Sequence, residues 1–358
     1  MLAEDPADAE TARRNRVEMR APSEQGYVGA RLVQQAAEHA ADCTGSCDED
    51  SHAARLSAGA SPDNHVRACP RRVGAATSRV MSRTAIRLGG VELPSSIMNA
   101  SGARSAERGE ILELADSHRG ALVFKSCNVA GLDTPENLKN RGVEHFAQLA
   151  RELKAQGKPV IGSAVGASED EFIAVATKLD RAGVDILELN LADDYVQKAV
   201  APFASFERLK SLVGRVRGET GCVLAVKLPP KIDFPPRAVA DLLKSLRVAV
   251  AVCANDQPKD LEIDLATGFV RGTPRAISHA HAFYRESEGL LDIVAVGGIN
   301  TGRDAYIAHL LGARGMQVGS ALMKEGSGAL ARIDRELDEL LAQQGRSLPQ
   351  VIGQVRFT

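Results

Sequence analysis

The sequence contains no run of eighteen or more apolar residues, so we expect no membrane-spanning helix. Its first residues, MLAEDPADAETARR, are acidic and lack the apolar segment of a secretory signal, which indicates a cytoplasmic protein. The formal net charge is only -2, and without a basic surface nucleic acid is not an expected partner. The 358 residues, 44% of them hydrophobic, are enough for one large domain with an appendage.

Cysteine is scarce and scattered, with six residues in the whole chain. Without a secretory signal, reduced thiols are the simplest interpretation. Cys127, Cys222 and Cys253 are too far apart in sequence to suggest an iron–sulfur cluster. A metal cluster nearer the N-terminus is an alternative to scattered tail residues, but its spacing matches no zinc module; its members would be Cys43, Cys47, His52, His65 and Cys69.

Residues 1–80 differ in composition from the rest of the chain. They are rich in Ala, Arg, Ser, Asp and Glu and contain few large aliphatic residues, which predicts a disordered extension. Residues 81–358 then form the second unit, whose length is close to the ~250 residues typical of a (β/α)8 barrel.

The second unit alternates between short apolar runs and segments with helical periodicity, which predicts parallel βαβ units. Eight near-continuous apolar runs, each followed by a helix, favour an α/β fold of the (β/α)8 (TIM) barrel type. A doubly wound sheet, the alternative, would have its glycine fingerprint after the first strand. The runs cover residues 96–101, 121–126, 159–166, 185–190, 222–228, 248–255, 292–298 and 315–321. The helical segments cover residues 107–118, 143–156, 169–182, 206–219, 237–246, 274–287, 303–311 and 329–344.

Glycine-rich turns follow the seventh and eighth predicted strands, at Gly297-Gly298 and Gly319-Ser320. Glycine lets the backbone approach a phosphate closely, and the N-terminus of the next helix offers free N–H groups. The loops after these two strands are a frequent phosphate site in such barrels. We therefore favour a phosphate-binding function over ordinary tight turns.

Polar side chains end several of the apolar strands, among them Lys125, Asn190, Lys227 and Asn255. The carboxyl ends of barrel strands carry the catalytic residues of this fold. Two lysines at the same barrel mouth as a phosphate site indicate an anionic ligand rather than two solvent-exposed lysines. A flavin is such a ligand, since a lysine near its N1–C2=O edge would tune its electronic properties.

The chain from Arg87 to about Gly345 resembles the dihydroorotate dehydrogenases, and within them the soluble, single-subunit branch. That family has a (β/α)8 barrel with FMN at its carboxyl end and oxidises dihydroorotate to orotate in pyrimidine biosynthesis. The resemblance implies a soluble electron acceptor such as fumarate, and a homodimer. The segments that carry it are MNASG (98–102), FKS (124–126), ELNL (188–191), VKLPP (226–230), VGGINTGRDA (296–305) and MQVGSALMKEG (316–326).

The resemblance also implies roles for individual residues. Substrate contacts are implied for Lys125, Asn140, Asn190 and Asn255, with Lys125 also near the reacting centre. The residues implied to bind FMN are Ala100, Ser101, Lys125, Ser126, Asn190, Lys227, Gly272, Gly297, Gly298, Gly319 and Ser320.

The sequence departs from the family pattern on the substrate side. Where the family has Asn-Leu-Ser-Cys-Pro-Asn, with cysteine as the catalytic base, this chain has residues 190–195, Asn-Leu-Ala-Asp-Asp-Tyr. Asp193 takes the position of the base, and Asp256 replaces a family serine. Extra carboxylates would repel the orotate anion unless Lys139 or Arg141 compensates. An alternative is that Asp193 and Asp194 are solvated residues of a mobile loop.

Three functions therefore stay open. The first is an FMN-dependent dehydrogenase acting on dihydroorotate, with Asp193 as the base. The second keeps the flavin chemistry but acts on another cyclic substrate. The third is a barrel that binds a phosphorylated small molecule without redox chemistry.

Overall fold

The computed structural model describes residues 82–132, 139–255, 262–271 and 278–357. The predictions made for residues 1–80, the extension and its cysteine–histidine cluster, lie outside the described residues. So do those made for Asp256 and Gly272.

Eight parallel strands form one sheet that curls into a barrel, which confirms the predicted fold class. Each strand lies within one of the predicted apolar runs. The strands are β3 (Ile97–Asn99), β4 (Leu122–Val123), β5 (Val160–Ala164), β6 (Ile186–Asn190), β7 (Val223–Lys227), β8 (Val248–Ala254), β11 (Asp292–Val296) and β12 (Gly315–Val318). Around the barrel their order is β3-β12-β11-β8-β7-β6-β5-β4.

A side chain joins the two ends of this sheet, β3 and β4. The Asn99 Nδ2 group donates to the Val123 carbonyl oxygen at 2.6 Å, and Asn99 Oδ1 accepts from the Val123 N–H at 2.9 Å. The amide has one donor and one acceptor side, so it can take the place of a main-chain partner. Asn99 is fully buried, and it therefore continues the hydrogen bonding around the barrel where the main-chain ladder stops.

Helices surround the strands, and their apolar faces supply much of the core. Helix α3 begins where the Ser168 side chain accepts from the Glu171 N–H, a typical N-cap. The helices are α1 (Arg108–Ser117), α2 (Val143–Ala155), α3 (Glu169–Arg181), α4 (Asp194–Ala199), α5 (Phe206–Glu219), α6 (Pro236–Ser245), α7 (His279–Ser287), α8 (Gly302–Leu310), α9 (Ser320–Glu325), α10 (Gly328–Gln343) and α11 (Leu348–Val351), with a 3-10 turn at Pro202–Ala204.

Two short hairpins were not predicted from the sequence. One is formed by β1 (Ile86–Leu88) and β2 (Val91–Leu93), the other by β9 (Glu262–Ile263) and β10 (Val270–Arg271). The Gly89 N–H in the first hairpin donates to Asp292 at the start of β11. This hairpin therefore covers the amino end of the barrel and leaves the carboxyl end to the connecting segments.

Across the described ranges, no helix is long and apolar enough to cross a bilayer.

Candidate active site

The predicted site residues on the strands meet at one end of the barrel, because all eight strands are parallel. Asn190 at the end of β6 is in register with Lys227 at the end of β7. Asn255 follows β8, and its N–H donates to the Val296 carbonyl at the end of β11. The strand register therefore places the asparagines and lysines that were chosen from sequence around one mouth.

A cluster of hydroxyl groups lies under this mouth. Ser126 Oγ is 2.8 Å from both Ser101 Oγ and Ser163 Oγ, and it accepts from Asn190 Nδ2 at 3.0 Å. Ser101 also donates to Ser163 at 3.3 Å. The structure thus brings together Ser101, Ser126 and Asn190, which were predicted to bind the flavin, on three different strands or strand ends.

The cluster continues into the barrel interior through a carboxylate. Glu188 is buried in the middle of β6, and Gln317 is buried in β12. One Glu188 oxygen accepts from Ser163 Oγ at 3.2 Å, and the other accepts from Gln317 Nε2 at 2.6 Å. Gln317 Oε1 is buried without a hydrogen-bond partner. A polar network of this kind stiffens the site, because each member limits the orientation of the next.

Sequence reasoning assigned no role to Ser163, Glu188 and Gln317. Two of them stood inside segments used for the family resemblance, ELNL and MQVGSALMKEG. The alternation of side chains along a strand could have identified Glu188, because Glu188 and Asn190 lie on the same face of β6. A charged residue on the interior face of a barrel strand needs polar partners, and this requirement predicts the neighbours.

The two lysines are half-buried at the mouth. A Cβ atom placed on Gly102 would lie 3.5 Å from Lys125 Nζ, so the Lys125 side chain runs along the glycine turn after β3. The Lys125 N–H donates to the Ser105 carbonyl, which fixes the backbone at this point. Lys227 lies across the barrel from Lys125, with β5 and β6 between their strands on one side.

The glycine turn after β11 has the conformation expected of a phosphate-binding loop. Gly297 and Gly298 have φ values of 96° and 71°, a region that favours glycine. A Cβ on Gly298 would lie 2.6 Å from the Asn255 carbonyl oxygen, whereas one on Gly297 would meet no atom within 4 Å. Asn255 Nδ2 also donates to the Gly297 carbonyl at 3.2 Å. Asn255 therefore holds the turn, and Gly297 keeps its outer side accessible.

The N-terminus of helix α8 corrects one part of the sequence argument. Its N–H groups were expected to be free for a phosphate, but protein acceptors occupy those of Gly302 and Asp304 and those of the two residues before the helix. Asp304 accepts from the N–H groups of Asn300 and Thr301, the Thr301 hydroxyl accepts from Asp304, and Glu336 accepts from Gly302. The backbone of Gly297–Gly298 and that of Gly319–Ser320 remain as the places where a phosphate could bind.

The segment after β6, for which a loop was one alternative, forms helix α4. Asp193 is the N-cap of α4, and its carboxylate accepts from the Tyr195 N–H at 2.9 Å. Gln197 within α4 donates to the Leu191 carbonyl and ties the helix to the strand end. Asp193 is half-buried, whereas Asp194 is exposed. The carboxylate thus has a structural role before any catalytic one is considered.

The residues after β4 contact one another and the outer helices. Asn140 is buried, and its Oδ1 accepts from the Gly142 N–H at 2.9 Å. Arg141 forms an ion pair with Glu107 at 2.9 Å, and this hydrogen bond lowers the pKa of the Glu107 carboxyl. The positive charge that was expected to offset the aspartates is therefore partly neutralised by Glu107.

The described cysteines show no sign of nucleophilic or metal chemistry. Burial raises the pKa of the Cys127 and Cys253 thiols far above the usual range, and it raises that of Cys222 to about 12. A thiol of this kind stays protonated and unreactive. Within the described ranges, no group of three or more His, Cys, Asp or Glu side chains could hold a metal ion.

Comparison with known proteins agrees with this geometry. The family model described as dihydroorotate dehydrogenase matches residues 84–341, which cover the whole barrel. The chain belongs to the dihydroorotate dehydrogenase family. The matched segment lies entirely within residues 81–358.

Among family members, the dihydroorotate dehydrogenase (fumarate) of Lachancea kluyveri is 30% identical over 293 residues, covering 72% of this chain and 93% of the relative. The protein of the same name from Trypanosoma cruzi is 30% identical over 296 residues, covering 72% and 94%. The crystal structure of DHODH from Eimeria tenella in complex with ferulenol has a TM-score of 0.62 at 16% identity, over 76% of this chain and 89% of that chain. The structural likeness supports the fold alone.

Proposed function

We propose that this protein is an FMN-dependent dehydrogenase that oxidises dihydroorotate to orotate and passes the electrons to a soluble acceptor such as fumarate. The relatives from Lachancea kluyveri and Trypanosoma cruzi carry this activity in their names. The observation that carries the proposal is the hydrogen-bonded cluster of Ser101, Ser126 and Asn190 at the barrel mouth. The activity would reside in residues 81–358.

The residues at the mouth fit FMN in shape and in chemistry. The glycine pair at 297–298 and the turn at Gly319 expose backbone without side chains, as close approach to a phosphate requires. Ser101, Ser126 and Asn190 supply both donors and acceptors, as a planar heterocycle with carbonyl and ring nitrogen atoms requires. Lys227 supplies a positive charge from the opposite wall.

When bound, FMN supplies a two-electron acceptor for the substrate carbon. The residues of the chain would bind and orient dihydroorotate and remove a proton from it. Lys125 would attract the carboxylate of dihydroorotate, and Asn190, Asn255 and Asn140 would hydrogen-bond to its ring amides. Asp193 would accept the proton from the substrate carbon, because it takes the family position of the base after β6.

The test is anaerobic mixing of the purified protein with dihydroorotate while flavin absorbance is recorded. We expect a yellow protein whose flavin absorbance is lost within seconds of mixing, and we expect orotate as the product. Dihydrouracil, which lacks the carboxylate, is the matched control and should bleach the flavin far more slowly.

Three outcomes separate the candidate functions. A yellow protein that dihydroorotate does not bleach would indicate another cyclic substrate for the same flavin. A colourless protein that cannot be reconstituted with FMN would contradict flavin chemistry altogether. Mass spectrometry of the ligand released on denaturation then shows which phosphorylated molecule the barrel holds.

A further inference from the structure

The barrel interior contains a carboxylate that the proposed reaction does not use. Glu188 is fully buried, below the mouth, and its two hydrogen-bond partners are the neutral side chains of Ser163 and Gln317. Both partners donate to the Glu188 oxygens, Ser163 through its hydroxyl and Gln317 through its NH2 group. The Gln317 Oε1 atom is left without a partner.

The hydrogen bond from Ser163 to Glu188 fixes which way the hydroxyl hydrogens point in the cluster above it. Ser163 uses its single hydroxyl hydrogen for Glu188, and its oxygen is then an acceptor for Ser126 and Ser101. Either Ser101 donates to Ser126 or Ser126 donates to Ser101, and in both cases both hydroxyl hydrogens have an acceptor inside the cluster. Asn190 adds a further donor to Ser126. The hydrogens therefore point inward, and in either arrangement at least one lone pair of Ser101, the most exposed member, stays unused.

Ser101 and Lys227 lie on opposite walls of the barrel, since β3 and β7 are four positions apart in the strand order. In the isoalloxazine ring, the N1–C2=O edge and N5 lie on opposite sides of the central ring. If Lys227 faces the N1–C2=O edge, the hydroxyl cluster faces the N5 side. This step rests on the proposed function, because it takes FMN as the ligand.

We propose that Glu188 is a positioning residue that sets the hydrogen-bond polarity of the Ser163–Ser126–Ser101 cluster and thereby favours the reduced form of bound FMN. Two-electron reduction with uptake of a proton turns N5 from a hydrogen-bond acceptor into a donor. A cluster that offers only lone pairs binds the N5–H of the reduced form better than the bare N5 of the oxidised form. Glu188 acts through Ser163 and does not touch the flavin.

The direct test is Ser163→Ala, which keeps the carboxylate but breaks its link to the cluster. One hydrogen of Ser126 or Ser101 then loses its inward acceptor and can donate to oxidised FMN. We expect the ratio of the affinities for reduced and oxidised FMN to fall about tenfold, which corresponds to a midpoint potential lower by about 30 mV for a two-electron couple. The matched control is Ser96→Ala, a fully buried serine at the amino end of β3 that bonds to His309 and should leave the potential unchanged.

A double-mutant cycle separates this relay from the electric field of the carboxylate. Glu188→Gln changes the electric field of this side chain by the same amount in any background. In the parent protein the same change also frees Ser163 from its fixed orientation, which lowers the potential. We therefore expect the shift in potential caused by Glu188→Gln to be more negative in the parent than in Ser163→Ala, with a coupling of about tenfold in the affinity ratio.

The outcomes are distinct. A Ser163→Ala protein that binds FMN at the parent potential, or strictly additive changes in the cycle, would overturn the inference and leave the proposed function intact. If Glu188→Gln fails to fold, the shift in Ser163→Ala decides alone. A failure of the parent protein to bind FMN would instead contradict the proposed function.

Discussion

The two halves of the candidate site differ in what holds them. In the cofactor half, the side chains lie on or directly after barrel strands and bond to one another across the barrel, as Ser101, Ser126 and Asn190 do. In the substrate half, the residues that depart from the family pattern or adjoin it lie on connecting segments and bond to their own neighbourhood. Asp193 caps its own helix and Arg141 pairs with Glu107.

This difference explains why one half follows the family pattern and the other does not. A strand residue of the cofactor half cannot change without leaving a buried partner unsatisfied, which costs about 1–3 kcal/mol. A residue of the connecting segments can change while the barrel ladder stays intact. The substrate half is therefore free to acquire Asp193 where relatives have another base, provided that the new residue satisfies the local helix.

The largest expected effect tests whether the substrate half is catalytic at all. Asparagine caps a helix as well as aspartate does, so Asp193→Asn should preserve α4 while removing the base. We expect kcat for dihydroorotate to fall about 10²- to 10⁴-fold, with unchanged FMN content. Rapid-reaction measurement of flavin reduction gives the rate, and Asp194→Asn at the exposed neighbour is the control. Turnover at the parental rate would leave Asp193 with its capping role only.

Two adjacent glycines test the rigidity of the cofactor half. In Gly298→Ala, the new Cβ meets the Asn255 carbonyl at 2.6 Å at a positive φ, so we expect a loss of about 2–5 kcal/mol in unfolding free energy. In Gly297→Ala the positive φ remains but the clash is absent, so the loss should be about 1–2 kcal/mol.

FMN affinity should not follow the same order as stability in these two variants. The Gly297 Cβ would project into the side proposed for the phosphate, so its weakening of FMN binding should exceed what its stability loss explains. Denaturant unfolding of the FMN-free protein and fluorescence titration with FMN measure the two quantities. Equal stability losses in both variants would mean that Asn255 yields to the new methyl group.

The sequence predicted the barrel and the mouth well because both follow from periodic patterns. The eight strands lie inside the apolar runs, and strand ends place Lys125, Asn190 and Lys227 at one end of the barrel. Among the features of the site that were missed are the cap at Asp193, the acceptors at the N-terminus of α8 and the buried position of Glu188. Each depends on which acceptor a particular N–H or hydroxyl group reaches in three dimensions, and residue spacing does not encode that choice.

Acid should weaken the cofactor half through a histidine behind it. His309 in α8 is fully buried, with Nδ1 bonded to the Ala313 carbonyl and Nε2 to Ser96 before β3, and burial lowers its pKa to about 4. The unfolded chain, with a histidine pKa near 6.5, binds the proton first as pH falls, so stability is lost between about pH 6.5 and 4.

The loss from His309 should amount to about 3 kcal/mol over this range. Unfolding free energies of the parent and of His309→Gln, measured at several pH values, give the two slopes. The variant should show the smaller slope, whatever its stability at neutral pH. A residual slope is expected from the lowered pKa of His118 and His281, and identical slopes would contradict the assignment to His309.

The smallest expected effect concerns the helix that carries the proposed base. Asp193→Ala removes the N-cap of α4 and should lower the unfolding free energy by about 1 kcal/mol, whereas Asp193→Asn should lower it by much less. Because both variants lack the carboxylate, their difference in stability reports the cap alone, and their shared loss of turnover reports the base alone. A loss well above 1 kcal/mol in Asp193→Ala would mean that α4 supports the barrel itself. The substrate half would then be bound to the fold as tightly as the cofactor half, and its departure from the family would need a cause other than local freedom.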